Sequence, residues 1–330
     1  LLAAGHYFAF PELDHKELRF LAERRLVTQN VMAGRGPRGV YIADDQFLSI
    51  MINGAEHLTM RVVLPGLQPQ EAWARLNLID DTLNGLLDFA YDDRLGYLTS
   101  VLAHVGTGLR MSAVLHLPAV MFGGRIAEQL ALAEQHRLLF HGLRAGTDLK
   151  FPRVRVARGD DGGERLMAPV KDDALYTDTT GGLAAHVNEA EGDLFLLGNQ
   201  NTLGLSEEEV LFQVNHVATE MIQAERGARE AILTDNPRGL EDRVGRSLGV
   251  ATGARLLGFS EGLSLLSSLR FGCSTGQIRG LALPLLNEVL LSSQGAHLEM
   301  AAGHDCDEFT LNVERANLFR NRFASVDRKF

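Results

Sequence analysis

Residues 105–110, with the sequence VGTGLR, contain the residue types best suited to holding an anion. Glycine lets backbone amides come close to a negative group, and the guanidinium of Arg110 offers two parallel hydrogen bonds to phosphate oxygens. The glycine spacing matches neither the Walker nor the dinucleotide-binding fingerprint. The loop alone therefore leaves two alternatives open, an anion-binding site and an ordinary glycine turn.

The elements before this loop are short β-rich runs and amphipathic helices. Residues 12–27 place their leucines close to one face at helical spacing, with Asp14 available as a cap, which predicts a helix. A second helical pattern is predicted at 69–92, opened by a proline. Three short runs that predict an antiparallel meander lie between the two helices, at residues 40–44, 47–53 and 57–64.

Strands are predicted on both sides of the glycine loop, over residues 97–105 and 111–120, followed by a helix over 124–137 and a strand over 138–144. Strands and helices do not alternate strictly along the chain. The sequence therefore predicts an α+β fold with an antiparallel sheet flanked by helices, rather than a doubly wound parallel sheet.

The second half of the chain begins with a change of character at about residues 149–188, which are rich in charge, glycine, aspartate and threonine. This segment is either a long loop or an inserted hairpin. After one more strand, a long helix is predicted with Ser206 at its cap and Glu209 three residues on, which is the spacing of a capping box.

Beyond residue 236 the pattern indicates helices only, at residues 239–250, 260–272, 283–302 and 307–323. The predicted domains are residues 1–249, which include the insertion, and a C-terminal helical domain at residues 250–330.

Composition excludes several classes of protein. Lys+Arg 32 against Asp+Glu 42 gives a net charge of −10, so no strongly basic field favours nucleic acid. No apolar run is long enough to cross a bilayer, and no spacing of His, Cys and carboxylates predicts a metal site. The two cysteines suit a reducing compartment, which predicts a cytoplasmic protein. The first residues, without a methionine, predict a chain that is incomplete at its N-terminus.

Several stretches together resemble a known family. They are ERRLV at 23–27, PRGVYIADD at 37–45, IDD at 79–81, GYLTS at 96–100, VGTGLR, AVLHLP at 113–118, GNQNTLGLSEEE at 198–209 and AERGAREAIL at 224–233. The chain resembles the phosphagen kinases, or ATP:guanido phosphotransferases, and especially the bacterial protein-arginine kinase.

This resemblance implies an antiparallel sheet flanked by helices, with ATP and Mg as cofactor. The phosphoryl group would pass to an arginine side chain of a protein, and an added C-terminal helical domain would bind phosphoarginine and support a homodimer. A phosphoryl group in transfer needs positive charge around its oxygens, and a guanidinium must give a proton to a nearby carboxylate before it attacks. The nucleotide-binding residues that the resemblance implies are Arg25, Arg110, Met111, Ser112, Ala113 and Val114.

The chain departs from the family where the guanidine is activated. The family has two glutamates where this sequence has Gly54 and Ala55, and a phosphate-binding arginine where it has Thr59. Glu56 takes the place of a family aspartate and is the candidate that remains as a catalytic carboxylate.

Other departures affect the cysteine and a second arginine loop. The family cysteine that contacts the guanidine falls at 101–104, which read VLAH. The Arg-Gly-x-x-Gly-Glu loop of the family aligns best with 141–146, or across the insertion with 181–186, and neither alignment restores the arginine or the glutamate. The arginine-bearing nucleotide segment of the family precedes the first residue of this chain.

In the last helix, Arg315 matches an arginine of the family's phosphoarginine pocket, but Leu311 and Asn312 stand where its charged members would be. The alternatives for Arg315 are an incomplete pocket and a solvated helix face. Arg110 likewise either contacts a nucleotide or pairs with a local carboxylate.

We therefore predict a protein-arginine kinase family member that is a catalytically impaired pseudokinase, with a regulatory or scaffolding role in protein quality control. Its partners would be proteins or arginine-containing protein substrates. The alternatives are an active kinase that uses Glu56 or a carboxylate of the insertion, such as Asp160, Asp161 or Glu164, and a phosphoarginine-binding adaptor.

Overall fold

The structure is a computed structural model that describes residues 4–28, 36–143, 155–158, 164–167 and 190–328. These residues form two compact units. The first holds the described residues up to Ala113, the segments 155–158 and 164–167, and Gly198–His216. The second holds the described residues from Val114 to 143, from 190 to Leu197 and from Val217 onwards.

The main sheet of the first unit is antiparallel throughout, in the order β1-β2-β3-β4. Its strands are β1 (Gly5–Ala9), β2 (Gly39–Ala43), β3 (Leu48–Ile52) and β4 (Leu58–Val62). The last three confirm the predicted meander. The edge strand β1 was not predicted, because the run GHYFA is exposed along most of its length and has no clear alternation.

Helix α1 (His15–Glu23) packs on this sheet. Asp14 accepts a hydrogen bond from the Glu17 amide and Glu17 accepts one from the Asp14 amide, both at 2.8 Å, so the predicted cap is a full capping box. The apolar core between helix and sheet includes Phe10, Leu18, Ala22, Leu26, Val27, Val40, Ile42 and Met51.

The helix predicted at 69–92 is shorter than expected. Helix α2 (Pro69–Asn84) ends before Gly85, and a small hairpin of β5 (Tyr91–Asp92) and β6 (Gly96–Tyr97) follows. The strand predicted at 97–105 is wrong, since β6 ends at Tyr97 and a 3-10 turn forms at Leu102–His104.

The strand predicted at 111–120 is also shorter, because β7 (Ser112–His116) gives way to a short helix, α3 (Pro118–Phe122). Proline has no amide hydrogen for a sheet but is favoured at the first position of a helix. Both carboxylate oxygens of the buried Glu225 accept hydrogen bonds from the first amides of α3, at Ala119 and Val120.

The predicted helix and strand after α3 are confirmed as α4 (Ile126–Gln135) and β8 (Leu138–Gly142). Within the insertion, β9 (Arg155–Arg158) pairs with β10 (Glu164–Met167), so the hairpin alternative is confirmed for these residues. Strand β11 (Leu194–Asn199) lies between β7 and β8 in a three-stranded sheet.

Helix α5 (Glu207–Asp235) begins with the predicted capping box, in which the Ser206 amide donates to Glu209 at 2.7 Å and the Glu209 amide donates to Ser206 Oγ at 3.2 Å. The remaining elements are α6 (Pro237–Gly253), α7 (Phe259–Ser274), β12 (Ile278–Arg279), α8 (Leu283–Ser292), α9 (Gly295–Ala302), α10 (Glu308–Phe323) and β13 (Asp327–Arg328).

The single helix predicted at 283–302 is two helices, α8 and α9. The break falls at Ser293 and Gln294, within a Ser-Ser-Gln-Gly run that has low helix propensity, and Gln294 is extended. The carbonyl of Ser293 accepts a hydrogen bond from Arg315, which satisfies an acceptor that the break exposes.

Within the described ranges, no helix is both long enough and apolar enough to span a membrane. The same ranges hold no group of three or more His, Cys, Asp and Glu side chains arranged to bind a metal ion.

Candidate functional site

The two glycines of the 105–111 loop have different surroundings. Gly106 has a φ of +118°, and a Cβ there would lie 2.3 Å from the carbonyl oxygen of Thr202. Gly108 has a φ of +65° and open space where a side chain would be. Only glycine fits at Gly106, because the backbone of 202 approaches so closely. Gly108 is exposed, and the part of the loop around it is called the exposed side below.

Most amides of the loop point into the protein. Gly106 donates to the carbonyl of Tyr97 at 3.2 Å and Thr107 donates to that of Thr202 at 3.1 Å. Leu109 donates to Thr107 Oγ1 at 3.2 Å and Met111 to a side-chain oxygen of Asn199 at 2.8 Å. These four amides already have hydrogen-bond partners within the protein, so they are not free for an anion as the sequence predicted. An anion could approach the loop only near Gly108, where the space is open.

Arg110 follows two residues after Gly108 and is only partly buried. Its Nη1 donates to the carbonyl oxygens of Gln200 at 3.1 Å and Asn199 at 3.5 Å. Hydrogen bonds to carbonyls hold the guanidinium in place without neutralising its charge, so these bonds do not produce the predicted pairing with a carboxylate.

The four residues after Arg110 lead into β7. Ser112 and Val114 alternate with the partly buried Ala113 and are both exposed, Val114 to 58%. Alternate residues of a strand share a face, so Ser112 and Val114 lie on the same exposed face of β7.

Arg25 is placed elsewhere in the first unit, just after α1, with a left-handed φ of +62°. Its carbonyl accepts a hydrogen bond from Arg61 Nη1 at 3.1 Å. Arg61 and Thr59 are two residues apart on β4, so they lie on the same face of the strand. The guanidinium of Arg61 therefore lies on the same face of β4 as Thr59, two residues beyond the position where the family has its arginine.

The carboxylate of Glu56 is engaged by the turn at 100–104. It accepts hydrogen bonds from the amides of Ser100 at 2.7 Å and Val101 at 3.0 Å, and His104 Nδ1 lies 3.2 Å away. Burial raises the pKa of the Glu56 carboxyl, but these hydrogen bonds outweigh it and hold the pKa below its ordinary value.

This arrangement explains why no strand forms at 97–105. The amides of Ser100 and Val101 bond to a side chain rather than to a neighbouring strand, and Thr99 Oγ1 donates to the carbonyl of Val101 at 2.7 Å. The family cysteine would fall in this turn. Glu56 therefore binds the backbone of the turn that contains Val101 and His104, the residues found in place of the family cysteine.

The second arginine loop was aligned with residues 141–146, of which residues 144–146 lie outside the described residues.

Asp80 of the IDD motif lies close to the hairpin before the loop. Burial, together with Asp81 and Glu207, raises the pKa of the Asp80 carboxyl, while a hydrogen bond with the Tyr97 side chain opposes the shift. Since the backbone of Tyr97 pairs with that of Gly106, Asp80 supports the base of the glycine loop.

Arg315 is the candidate for phosphoarginine binding, and the structure buries it to 1% exposure in α10. Its Nε donates to the carbonyl of Ser293 at 2.8 Å, and its Nη1 donates to the carbonyl of Leu257 and to Asn312 at 2.9 and 2.8 Å. The alternative of a solvated helix face is wrong for Arg315, because these acceptors and the ring of Phe259 enclose its guanidinium.

Comparison with known proteins agrees with this architecture. The C-terminal catalytic domain of the ATP:guanido phosphotransferases matches residues 2–153 and 141–228, and the protein-arginine kinase McsB C-terminal domain matches residues 237–330. The protein-arginine kinase of Moorella thermoacetica is 36% identical over 314 residues, which are 95% of this chain and 78% of that protein. The chain belongs to the protein-arginine kinase family.

Other members of the protein-arginine kinase family show a similar relation. That of Syntrophomonas wolfei is 33% identical over 95% of this chain and 76% of its own length. Among solved structures, the duplicated taurocyamine kinase from Schistosoma mansoni with bound transition state analog components matches with a TM-score of 0.50 and 18% identity, over 79% of this chain. This chain spans 32% of that protein, and the likeness shows the phosphagen kinase fold.

Sequence reasoning missed two residues of the candidate site, Asn199 and Thr202. Both lie in the GNQNTLGLSEEE stretch that carried part of the resemblance, but the spacing gave no reason to connect them with a loop about ninety residues earlier. Only the fold brings the two segments together.

Proposed function

We propose that this chain is a nucleotide-binding member of the protein-arginine kinase family in which phosphoryl transfer to arginine is impaired. ATP, with Mg held by its phosphates, would bind at the exposed side of the 105–111 loop. The open surroundings of Gly108, the guanidinium of Arg110 and the exposed Ser112 suit a polyphosphate there.

One observation carries the impairment: the carboxylate of Glu56 is engaged by Ser100, Val101 and His104. A general base must reach the guanidinium proton at hydrogen-bond distance and must hold that proton well. A carboxylate turned to backbone amides, with a lowered pKa, does neither.

The residues around Glu56 add to this argument. Gly54, Ala55 and Val101 have no side-chain group that ionises, so none of them replaces a base or a thiolate. One lost charge-stabilising group can remove about 3 to 4 kcal/mol of transition-state stabilisation, and several are replaced here.

The wider role belongs to the same proposal. The chain would act in the cytoplasm as a regulatory or scaffolding protein in protein quality control, as a homodimer or as the partner of an active kinase. Its region 1–249 would bind nucleotide and its helical region 250–330 would support assembly. The names of its relatives point to arginine-containing proteins as substrates, and this chain would bind such proteins without phosphorylating them.

Two measurements test the proposal. Thermal unfolding with Mg-ATP and Mg-ADP should show a rise in Tm, because a ligand that binds the native state stabilises it. Incubation of the protein with Mg-ATP and an arginine-rich protein should give no phosphoarginine above background. No rise in Tm at saturating nucleotide overturns the nucleotide site, and phosphoarginine above background overturns the impairment.

The active-kinase alternative has its own test. If Glu56 were the base, Glu56→Gln would abolish any phosphoarginine formed by the wild type. Asp160 and Asp161 lie outside the described residues, as does the side chain of Glu164, so a triple Ala variant at these positions tests the carboxylates of the insertion.

A further inference from the structure

Asn199 and Thr202 are among the most deeply buried polar side chains of the first unit, with 2% and 1% exposure. A buried amide or hydroxyl that leaves its hydrogen bonds unmade is costly, so the partners of such groups show what they hold. Asn199 is the last residue of β11 and Thr202 follows three residues later, and both direct their side chains at residues 103–111.

Asn199 holds the second half of the 105–111 loop. Its Oδ1 accepts from the amide of Met111 at 2.8 Å, and its Nδ2 donates to the carbonyls of Leu109 at 3.0 Å and Asn201 at 2.9 Å. Its backbone amide also donates to the carbonyl of Met111 at 3.2 Å. One side chain thus fixes the backbone on both sides of Arg110.

Thr202 holds the first half. Its hydroxyl lies within donating distance of the carbonyls of Val105, at 2.7 Å, and Ala103, at 3.1 Å. Its own carbonyl accepts from the amide of Thr107 and lies against Gly106. The loop is therefore anchored at both ends by one short segment, residues 199–202.

The segment 199–202 also sets the position of the cation. The guanidinium of Arg110 donates to the carbonyls of Gln200 and Asn199, so the same segment that shapes the loop orients its charged side chain. Gly108 lies between the two anchored halves, where the loop is open. A shift in the segment would move Arg110 relative to Gly108.

We propose that Asn199 and Thr202 are positioning residues that hold Gly108 and Arg110 in the arrangement that receives the phosphates of a nucleotide. This role rests on the proposed nucleotide binding. It adds to that proposal the residues that make the site, although neither of them lies in the glycine loop. Because Asn199 and Thr202 position the groups that contact phosphates, their loss should weaken the binding of inorganic tripolyphosphate as well as that of Mg-ATP.

The experiment compares the dissociation constants of Mg-ATP and tripolyphosphate for four variants of the whole chain. Asn199→Ala removes the amide, Thr202→Val removes the hydroxyl while keeping the shape, and Thr202→Ser restores the hydroxyl. Asn236→Ala is the matched control, because Asn236 caps α6 in the second unit through the amide of Gly239, and its loss lowers stability without touching the loop.

We expect Asn199→Ala and Thr202→Val to raise both dissociation constants at least tenfold, and Thr202→Ser and Asn236→Ala to stay within about twofold of the wild type. Hydrogen exchange should show faster exchange of the Thr107, Leu109 and Met111 amides in the first two variants only. Wild-type affinity in those two variants, or an equal loss in Thr202→Ser, overturns the positioning role alone. A wild type that binds neither ligand overturns the proposed function and this role with it.

Discussion

The turn at 100–104 and the loop at 105–111 follow one another in the chain, yet they are held by opposite kinds of group. Neutral side chains, Asn199 and Thr202, hold the loop, and the carbonyls of residues 199 and 200 accept hydrogen bonds from the guanidinium of Arg110. A carboxylate, that of Glu56, holds the turn, and its oxygens accept hydrogen bonds from backbone amides.

Under the proposed function, the fold keeps the nucleotide half of the site while the half that activates the guanidine is lost. A charged group that serves as a structural anchor has its hydrogen bonds filled and its pKa shifted away from the value that chemistry needs. The groups that anchor the loop are neutral, so its anchoring uses no charged side chain. Both segments can be equally well ordered and still differ in what they are able to do.

The largest effect that we expect comes from the closest approach in the loop. Gly106→Ala places a Cβ 2.3 Å from the carbonyl oxygen of Thr202 at a φ of +118°, so strain and overpacking together should cost about 3 kcal/mol of unfolding free energy. Gly108→Ala is the control, because it meets open space and should cost only about 1 kcal/mol.

Denaturant unfolding of the two glycine variants measures the contrast. Equal losses of stability at 106 and 108 would contradict the view that the backbone of Thr202 shapes the loop.

The sequence was sufficient to predict the elements in which the spacing of apolar residues matches the face that the fold buries. Helix α1, the meander and the start of α5 follow from leucine spacing, alternation and two capping boxes that need only residues three apart. The strand predicted at 97–105 failed because a side chain from residue 56 supplies the acceptors for its amides. No local pattern reports a partner forty-four residues away.

The candidate site divides in the same way. Arg110 was found from the sequence because glycine and arginine types point to an anion, and Glu56 was found from the resemblance to a family that has two glutamates in place of Gly54 and Ala55. Their hydrogen-bond partners depend on contacts between distant segments, so neither the use of Glu56 as an anchor nor the burial of Arg315 was predictable.

The second prediction concerns the anchor of the turn. Glu56→Gln puts an amide where the carboxylate accepts from Ser100 and Val101, and we expect a loss of about 2 kcal/mol in unfolding free energy with no change in arginine phosphorylation. The control is Glu128→Gln, the same substitution in an exposed pair with Arg125, which should have no measurable effect. A stable Glu56→Gln variant would show that the carboxylate is not an anchor.

The third prediction follows from the lowered pKa of Glu56. Because the folded-state pKa lies below the ordinary value of 4.5, the ionised carboxylate stabilises the protein above that pH, and this stabilisation is lost as the pH falls through the folded-state pKa. The difference in unfolding free energy between the wild type and Glu56→Gln should therefore be constant near neutral pH and shrink below about pH 4.5. A difference that grows on acidification would reverse the assigned direction.

The smallest effect should come from restoring the thiol. Val101→Cys is a near-isosteric change of a partly buried residue, so we expect a stability change below about 1 kcal/mol. The variant should form no phosphoarginine, because a thiol supplies neither the missing base at Gly54 and Ala55 nor a free carboxylate at Glu56. Val114→Cys, on the exposed side of β7, controls for the effect of a new thiol. Phosphoarginine formed by Val101→Cys but not by Val114→Cys would show that the cysteine alone separates this chain from an active kinase, and that Glu56 leaves its anchor when substrate binds.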